Sequence, residues 1–223
     1  MATRYPAAAI KFSCRISGRG YTALGADEIR KMTKRLEFFY DYVSPYSYLA
    51  NSRVREVGGS GLVYRPMFLG GVMQASGNLP PGTLEVKGQY LRKDIARWAE
   101  HYGIDYNRNP NFPQNTLKAL RLAIVAQQDG IFPEVHGALY TAMFVDGKDL
   151  SDDRILGEIM NSTGLDAPAT FSRIAQQAIK NELKANTEEA VARGAFGAPT
   201  FFVGDKMFFG NDRFDFIEKA LQK

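Results

Sequence analysis

A short run of aromatic and branched residues is followed along the chain by a helix-like pattern. Residues 36–43 read LEFFYDYV, a composition typical of a buried strand and too short for a helix core. At 46–57 apolar or small residues recur at three- and four-residue intervals before a Gly-Gly pair, which is helical spacing. Ser44 can cap that helix with its hydroxyl, and Pro45 suits the first helical position. We therefore expect a strand that runs directly into a helix.

The strand–helix junction at 44–47 has the chemistry of an anion-binding site. A hydroxyl at Ser44 would lie beside free backbone N–H groups and the positive end of a helix dipole. An ordinary helix cap is the alternative interpretation of Ser44 on local grounds, because serine is among the leading cap residues.

The next part of the chain predicts a second strand and then a loop. Residues 62–68 have strand composition, and Pro66 indicates an edge strand or an early end to its pairing. Residues 70–82 are rich in Gly, Pro, Asn and Ser, which predicts a long loop. A long loop within a compact domain is either a linker or part of a functional site.

A helical block is predicted from residue 84 to about residue 193. Its apolar residues recur at helical intervals, and the pattern divides into helices at 84–102, 116–128, 132–145, 151–161 and 168–191. His136 lies near the apolar stripe of one helix, so we interpret it as a packed histidine and not as a base.

The end of the chain returns to strand. Residues 200–203 and 206–209 are aromatic runs on either side of Gly204-Asp205, which is the signal of a hairpin with a two-residue turn. A last helix is predicted from Phe214 to Leu221.

Composition narrows the classes of function. A chain of 223 residues with 45% hydrophobic content can bury one substantial core. A formal charge of +4, with Lys and Arg spread along the chain, favours acidic small substrates over nucleic acid. The lone cysteine, Cys14, allows no internal disulfide and no C-x-x-C. Two histidines without a Cys/His cluster argue against a zinc site, and no apolar run has the length of a membrane span.

The first 35 residues differ in composition from the rest. They are rich in Arg and Lys and carry acidic residues only at Asp27 and Glu28, which is typical of an organellar transit peptide. The alternative is a start assigned too early, since Met32 directly before the first strand would make a natural beginning. In either case we expect residues 1–35 to be a poorly ordered extension.

Two separated motifs carry a family resemblance. Ser44-Pro45-Tyr46-Ser47 near the start and Gly197-Ala198-Pro199-Thr200 near the end resemble the thioredoxin-like superfamily, most nearly the 2-hydroxychromene-2-carboxylate isomerases and the related kappa-class glutathione transferases. In that group a serine stands where disulfide oxidoreductases carry the first cysteine of C-x-x-C. The resemblance covers residues 36–222.

The resemblance implies an α/β fold of the DsbA and kappa transferase type. This is a thioredoxin-like fold with a large helical insertion. The sheet would be assembled from two halves of the chain, at 36–70 and 195–222, with the insertion at about 84–193.

Glutathione is the cofactor that the resemblance implies. The matching proline of thioredoxin-like folds is cis, and the residue before it offers its backbone to a peptide ligand. The family's G-N-D element would meet the γ-glutamyl end of glutathione. The implied cofactor-binding residues are Ser44, Tyr46, Ala198, Pro199, Phe209, Gly210, Asn211 and Asp212. Ser44 would also be the catalytic residue, because its hydroxyl and the helix amides favour the thiolate; no metal is implied.

Three polar residues are substrate-binding candidates. Asn78 and Lys87 match polar contacts of the family near a G-N-x-P-P-G segment, and Asn115 matches an element that faces the substrate in related isomerases. Without the resemblance they would be interpreted as a turn asparagine, a solvated lysine and a helix cap.

The resulting hypothesis is an isomerase of aromatic degradation. The resemblance implies a glutathione thiolate that adds reversibly to 2-hydroxychromene-2-carboxylate, so that the ring opens and trans-o-hydroxybenzylidenepyruvate is released. A kappa-like transferase that conjugates electrophiles is the alternative, and a non-catalytic thioredoxin-fold binding module is a third hypothesis. We further expect a cytoplasmic homodimer that binds neither nucleic acid nor membrane, with an organellar location only if residues 1–31 are a transit peptide.

Overall fold

Four strands form one mixed sheet in the computed structural model, which describes residues 35–222. Strand β1 (Leu36–Tyr40) pairs in parallel with β2 (Leu62–Pro66) and antiparallel with β3 (Thr200–Val203). Strand β3 pairs antiparallel with β4 (Lys206–Phe209). The sheet therefore joins the two ends of the described chain, as the family resemblance implied.

The helices connect and cover this sheet. They are α1 (Pro45–Gly58), α2 (Leu69–Ser76), α3 (Glu85–Tyr102), α4 (Leu117–Asp129), α5 (Phe132–Phe144), α6 (Asp153–Ser162), α7 (Ala167–Ile174), α8 (Gln177–Ala192) and α9 (Phe214–Leu221). Helices α3 to α8 follow the second strand and precede the third, so most of the helical block lies between the two halves of the sheet in the sequence. No helix within residues 35–222 is long and apolar enough to cross a bilayer.

The two faces of the sheet pack against different helices. On one face Phe38 and Phe201 stack with ring centroids 5.0 Å apart and join the core that includes α1, α4, α5 and α9. On the other face Phe39 and Phe202 meet edge to face at 5.4 Å and pack against buried residues of α2 and α8. Both faces are covered, which is why the strands are rich in apolar residues rather than strictly alternating.

The predicted hairpin and edge strand are confirmed. Gly204 has a φ of +58° in the turn between β3 and β4, a conformation that glycine adopts without strain. Strand β2 is an edge strand that ends at Pro66. Side-chain amides cover part of this edge, because Gln127 donates to the Tyr64 carbonyl at 2.9 Å and Asn186 donates to the Pro66 carbonyl at 3.1 Å.

The predictions of a strand through Val43 and of a loop from residue 70 are wrong. Strand β1 ends at Tyr40, because the chain turns at Asp41: the Ser44 N–H donates to the Asp41 carbonyl and the Val43 N–H to its carboxylate. The segment predicted as a loop from residue 70 begins instead with helix α2. The first N–H of this helix, at Leu69, donates to the Asp41 carboxylate at 2.8 Å. The loop is confined to the residues between α2 and α3.

One long helix predicted at 168–191 is two helices, α7 and α8. Gln176 has an extended backbone, with φ −65° and ψ 144°, and this interrupts the helical hydrogen bonds. Ile174 at the end of α7 and Ile179 in α8 are both buried. The break lets each helix turn its own apolar residues toward the core, which a periodicity count over the whole segment does not detect. The basic extension predicted at 1–35 lies, up to residue 34, outside the described residues.

Candidate active site

The hydroxyl of Ser44 connects the start of α1 to the segment before β3. Its oxygen accepts a hydrogen bond from the Ser47 N–H at 3.1 Å, so the predicted helix cap is confirmed. The same hydroxyl donates to the Ala198 carbonyl oxygen, also at 3.1 Å. Ser44 is only 4% exposed. The side chain is therefore held in one orientation by two backbone groups that are far apart in the sequence.

Backbone N–H groups beside Ser44 are free to bind an acceptor. Pro45 has no N–H, and among residues 35–222 the N–H groups of Tyr46 and Ala198 have no hydrogen-bond partner. The first turn of α1 also carries no acidic residue that would neutralise the helix dipole. An anionic sulfur or a peptide carbonyl is the type of group that such free donors bind.

The Ala198–Pro199 peptide is cis, as the resemblance implied. Both residues are buried. A glycine is needed just before them, because a Cβ on Gly197 would lie 2.8 Å from the ring of Phe209. Phe209, a cofactor-binding candidate, is 38% exposed and contacts Phe196, with the two tilted rings 4.5 Å apart between centroids.

The G-N-D element lies next to the cis proline. The Gly210 N–H donates to the Pro199 carbonyl at 3.1 Å, and Gly210 has a φ of +104°. Asn211 is 3% exposed, and its side-chain Nδ2 has no hydrogen-bond partner within residues 35–222. The carboxylate of Asp212 forms an ion pair with Arg213. The element thus offers one buried unpaired donor and one accessible carboxylate.

The hydroxyl of Tyr46 is directed to α3 and is already engaged. It donates to the Asp94 carboxylate at 2.8 Å, and Tyr90 reaches the other carboxylate oxygen at 3.4 Å. Burial, followed by the hydrogen bond to Asp94, raises the pKa of Tyr46 well above its ordinary value. Tyr46 therefore remains a protonated phenol at neutral pH, and its free group toward a ligand is the backbone N–H.

The three substrate-binding candidates have different surroundings. Asn78 donates to the Phe196 carbonyl at 2.8 Å, which attaches its loop to the segment just before the cis proline. Lys87 is an exposed residue on α3 and has no ion-pair partner among the described residues. Asn115 accepts a hydrogen bond from the Leu117 N–H at 3.1 Å, so its carbonyl oxygen helps to cap α4.

An open cavity of about 330 Å³ lies along α3. It is lined by Pro81, Val86, Lys87, Tyr90 and Leu91. The surface of the cavity is apolar, so Lys87 and Tyr90 line it with their carbon atoms. Tyr90 also contacts Asp94, the residue that accepts a hydrogen bond from the Tyr46 hydroxyl.

His136 is a packed residue, as its sequence context predicted. It is 4% exposed and lies between the Tyr42 hydroxyl at 2.8 Å and the Asn51 side-chain oxygen at 2.9 Å. Burial lowers its pKa to about 3. The ring is therefore neutral at physiological pH, and both its nitrogens are occupied.

Sequence reasoning missed two residues near the site. Asp41 is fully buried and makes three hydrogen bonds, and Asp94 holds the Tyr46 hydroxyl. A charged residue inside an otherwise apolar run, as at Asp41, was the available signal, because buried charges are rare unless they are paired. Asp94 gave no signal, because a carboxylate on a helix surface is ordinary.

Fold and site together define a class of protein: a thioredoxin-fold chain with serine, in place of cysteine, at the start of the first helix. Comparisons with known proteins agree. A DSBA-like thioredoxin domain model matches residues 35–222. The 2-hydroxychromene-2-carboxylate isomerase of Sphingobium xenophagum is 32% identical over 85% of this chain and 99% of its own length. The human glutathione S-transferase kappa 1 is 28% identical over 85% of this chain and 92% of its own.

Solved structures give the same relationship. A 2-hydroxychromene-2-carboxylate isomerase superimposes with a TM-score of 0.70 at 28% identity, over 84% of this chain and 94% of that one. The cytosolic disulfide reductase DsbM from Pseudomonas aeruginosa, solved with GSH, has a TM-score of 0.60 at 18% identity over 85% of this chain and all of its own, which shows the shared fold. The chain belongs to the DSBA-like thioredoxin family and, within it, to the 2-hydroxychromene-2-carboxylate isomerase family.

Proposed function

We propose that the protein is a glutathione-dependent isomerase that converts 2-hydroxychromene-2-carboxylate to trans-o-hydroxybenzylidenepyruvate. The observation that carries the proposal is the placement of the Ser44 hydroxyl at the start of α1, in contact with the Ala198 carbonyl of the cis-proline segment. Relatives about one-third identical over most of the chain are named for this reaction, and this supports the choice of substrate.

The free backbone and side-chain donors fit glutathione. The N–H of Ala198 and its carbonyl would pair with the cysteinyl unit, as in the addition of a short strand. The side-chain Nδ2 of Asn211 is buried and has no hydrogen-bond acceptor within residues 35–222. The γ-glutamyl carboxylate would supply that acceptor. Asp212 would receive the α-ammonium group, in competition with Arg213.

Glutathione would supply a thiolate nucleophile that adds reversibly to the conjugated substrate. Ser44 and the Tyr46 N–H would stabilise the negative sulfur, because both are donors at the positive end of a helix. Ser44 does not act as the nucleophile in this proposal, since no histidine lies on α1 and His136 is buried with both its ring nitrogens engaged. A serine without a neighbouring base remains a weak nucleophile.

The cavity along α3 is the proposed position of the aromatic ring of the substrate. Its apolar walls suit a flat fused ring, and the ammonium of Lys87 suits the carboxylate. Asn78 would contribute by holding its loop against the Phe196 carbonyl. Asn115 is the third proposed substrate contact, through the amide group that its capping oxygen leaves free.

Turnover assays with and without glutathione test the proposal. The chromene carboxylate should be converted only when glutathione is present, and glutathione should not be consumed. Conjugation of a chlorodinitrobenzene-type electrophile at a much higher rate would favour a kappa-like transferase, which the related kappa enzymes keep as the second candidate. Binding of glutathione without any turnover would instead indicate a non-catalytic binding module.

Assembly and location form a separate part of the proposal. We propose a homodimer in the cytoplasm, based on the family resemblance. Light scattering of the purified protein at micromolar concentration should give twice the mass of one 24.8 kDa chain. A monomer mass would contradict the dimer and leave the proposed reaction untouched.

A further inference from the structure

The buried carboxylate of Asp41 receives hydrogen bonds from three separate segments of the chain. Oδ1 accepts from the Thr116 hydroxyl at 2.5 Å and from the Val43 N–H at 3.1 Å. Oδ2 accepts from the Leu69 N–H at 2.8 Å. Asp41 and Thr116 are 0% and 1% exposed. The carboxylate therefore has protein donors in place of water.

Because the Asp41 carboxylate is buried, its charge depends on the hydrogen bonds that it accepts. Loss of solvent raises the pKa of Asp41, while the hydrogen bonds from Thr116, Leu69 and Val43 oppose that rise. A buried carboxylate that loses one of its donors cannot recruit water in compensation, and it must shift or become protonated. The three segments are consequently held at fixed distances from one another by a single side chain.

Each of the three segments leads to a residue of the proposed site. Val43 directly precedes Ser44, whose own N–H donates to the Asp41 carbonyl at 3.0 Å. Leu69 starts α2, which leads into the loop of Asn78. Thr116 precedes α4 and follows Asn115. The turn that carries the catalytic serine and both substrate-side loops thus meet at one carboxylate.

We infer that Asp41 is a positioning residue, which holds the turn that carries Ser44 in register with the segments that carry Asn78 and Asn115. This inference rests on the proposed function, which assigns Ser44, Asn78 and Asn115 to one active site. The role itself is mechanical: the carboxylate fixes where the start of α1 lies.

Variants of Thr116 test this role without removing the buried carboxylate. Thr116→Val keeps the shape of the side chain and removes the hydroxyl that Asp41 accepts from, whereas Thr116→Ser restores it. Thr163→Val is the matched control, because it deletes a threonine hydroxyl that bonds to the Ile159 carbonyl at the end of α6. We expect turnover to fall about tenfold in Thr116→Val and to remain near wild type in the other two variants.

A thiol placed at position 44 measures the geometry independently of the proposed reaction. In a Cys14→Ser background, Ser44→Cys puts the titrating thiol at the start of α1, where helix amides lower its pKa. Adding Thr116→Val should raise that pKa by about half a unit or more, because the thiol moves away from the amides. Adding Thr116→Ser or Thr163→Val should leave the pKa unchanged.

The two measurements separate failure of this inference from failure of the proposed function. An unchanged thiol pKa in Thr116→Val would overturn the positioning role. A lowered pKa would overturn it too, because loss of charge on Asp41 would then outweigh any change of geometry. If wild type shows no glutathione-dependent turnover, the proposed reaction fails, and a raised thiol pKa still supports the positioning role.

Discussion

The Ser44 hydroxyl donates a hydrogen bond to the carbonyl oxygen of Ala198, a residue 154 positions further along the chain. This bond joins the start of α1 to the cis-proline segment, so the two halves of the sheet meet at the proposed catalytic side chain. In the proposed function the hydroxyl hydrogen turns from that carbonyl to the sulfur of glutathione. A rotation about one bond is sufficient, because the oxygen stays in place while it accepts from the Ser47 N–H.

Replacing Ser44 by alanine should lower turnover and preserve the fold. The variant loses a donor to a charged sulfur worth roughly 1.5–3 kcal/mol, so turnover should fall about 10- to 150-fold. The thiol pKa of bound glutathione should rise with it, visible as lost thiolate absorbance. Loss of the helix cap should cost only about 1 kcal/mol of stability.

Ser52→Ala is the control for this experiment. Ser52 is exposed on the same helix, and its hydroxyl donates to the Leu49 carbonyl at 2.7 Å. It should keep wild-type turnover. If Ser44→Ala also kept wild-type turnover and thiol titration, Ser44 would be a helix cap alone.

Replacing Lys87 by methionine should weaken substrate binding with little effect on the chemical step. The KM for the chromene carboxylate should rise about fivefold to tenfold, because an exposed ammonium contributes modest, salt-screened attraction. The rise should shrink when ionic strength is increased. Lys93→Met, on the same helix and also exposed, is the control, and equal effects of both variants would rule out a specific contact at Lys87.

Thiol–disulfide exchange should be absent from the wild-type protein. Positions 44 and 47 are both serine, and the lone cysteine, Cys14, is outside the described residues. Insulin reduction should therefore be at background level. The double variant Ser44→Cys/Ser47→Cys should gain activity, since the fold already supplies a helix N-terminus that lowers the pKa of a thiol placed there. Insulin reduction by wild type at the rate of a C-x-x-C enzyme would contradict this prediction.

His136 should make stability depend on pH. Its pKa is lowered from 6.5 to about 3 in the folded state, so the unfolded chain binds a proton that the folded chain rejects. This contribution is complete above pH 6.5 and is lost, at up to about 1.4 kcal/mol per pH unit, as pH falls toward 3.

His136→Gln removes the titrating ring and isolates this effect. Between about pH 7.5 and about pH 5, wild type should lose roughly 2 kcal/mol more unfolding free energy than the variant in urea titrations. Comparing the two proteins cancels the opposite contribution of Asp41, whose raised pKa favours the folded state as pH falls. Parallel pH curves for the two proteins would show that His136 does not titrate differently on folding.

Local patterns in the sequence determined much of the fold. The cap at Ser44, the hairpin turn at Gly204 and the last helix are as expected, because each depends on residues within a few positions of one another. Helix α2 was not predicted, because its start depends on a distant residue. Its first N–H donates to the Asp41 carboxylate, which lies 28 residues earlier in the chain. The break before α8 was missed because both of its sides are amphipathic.

For the candidate site, the sequence by itself determined which groups were present, through motifs at its two ends. Only the tertiary structure decided what those groups contact. Tyr46 has its hydroxyl committed to Asp94, Asn78 is attached to the Phe196 carbonyl, and Asp41 joins three segments. Apart from the local bond between Val43 and Asp41, these contacts span 28 to 118 residues. They depend on which distant segments the packing of the chain brings together, and the spacing of residues along the sequence does not show this.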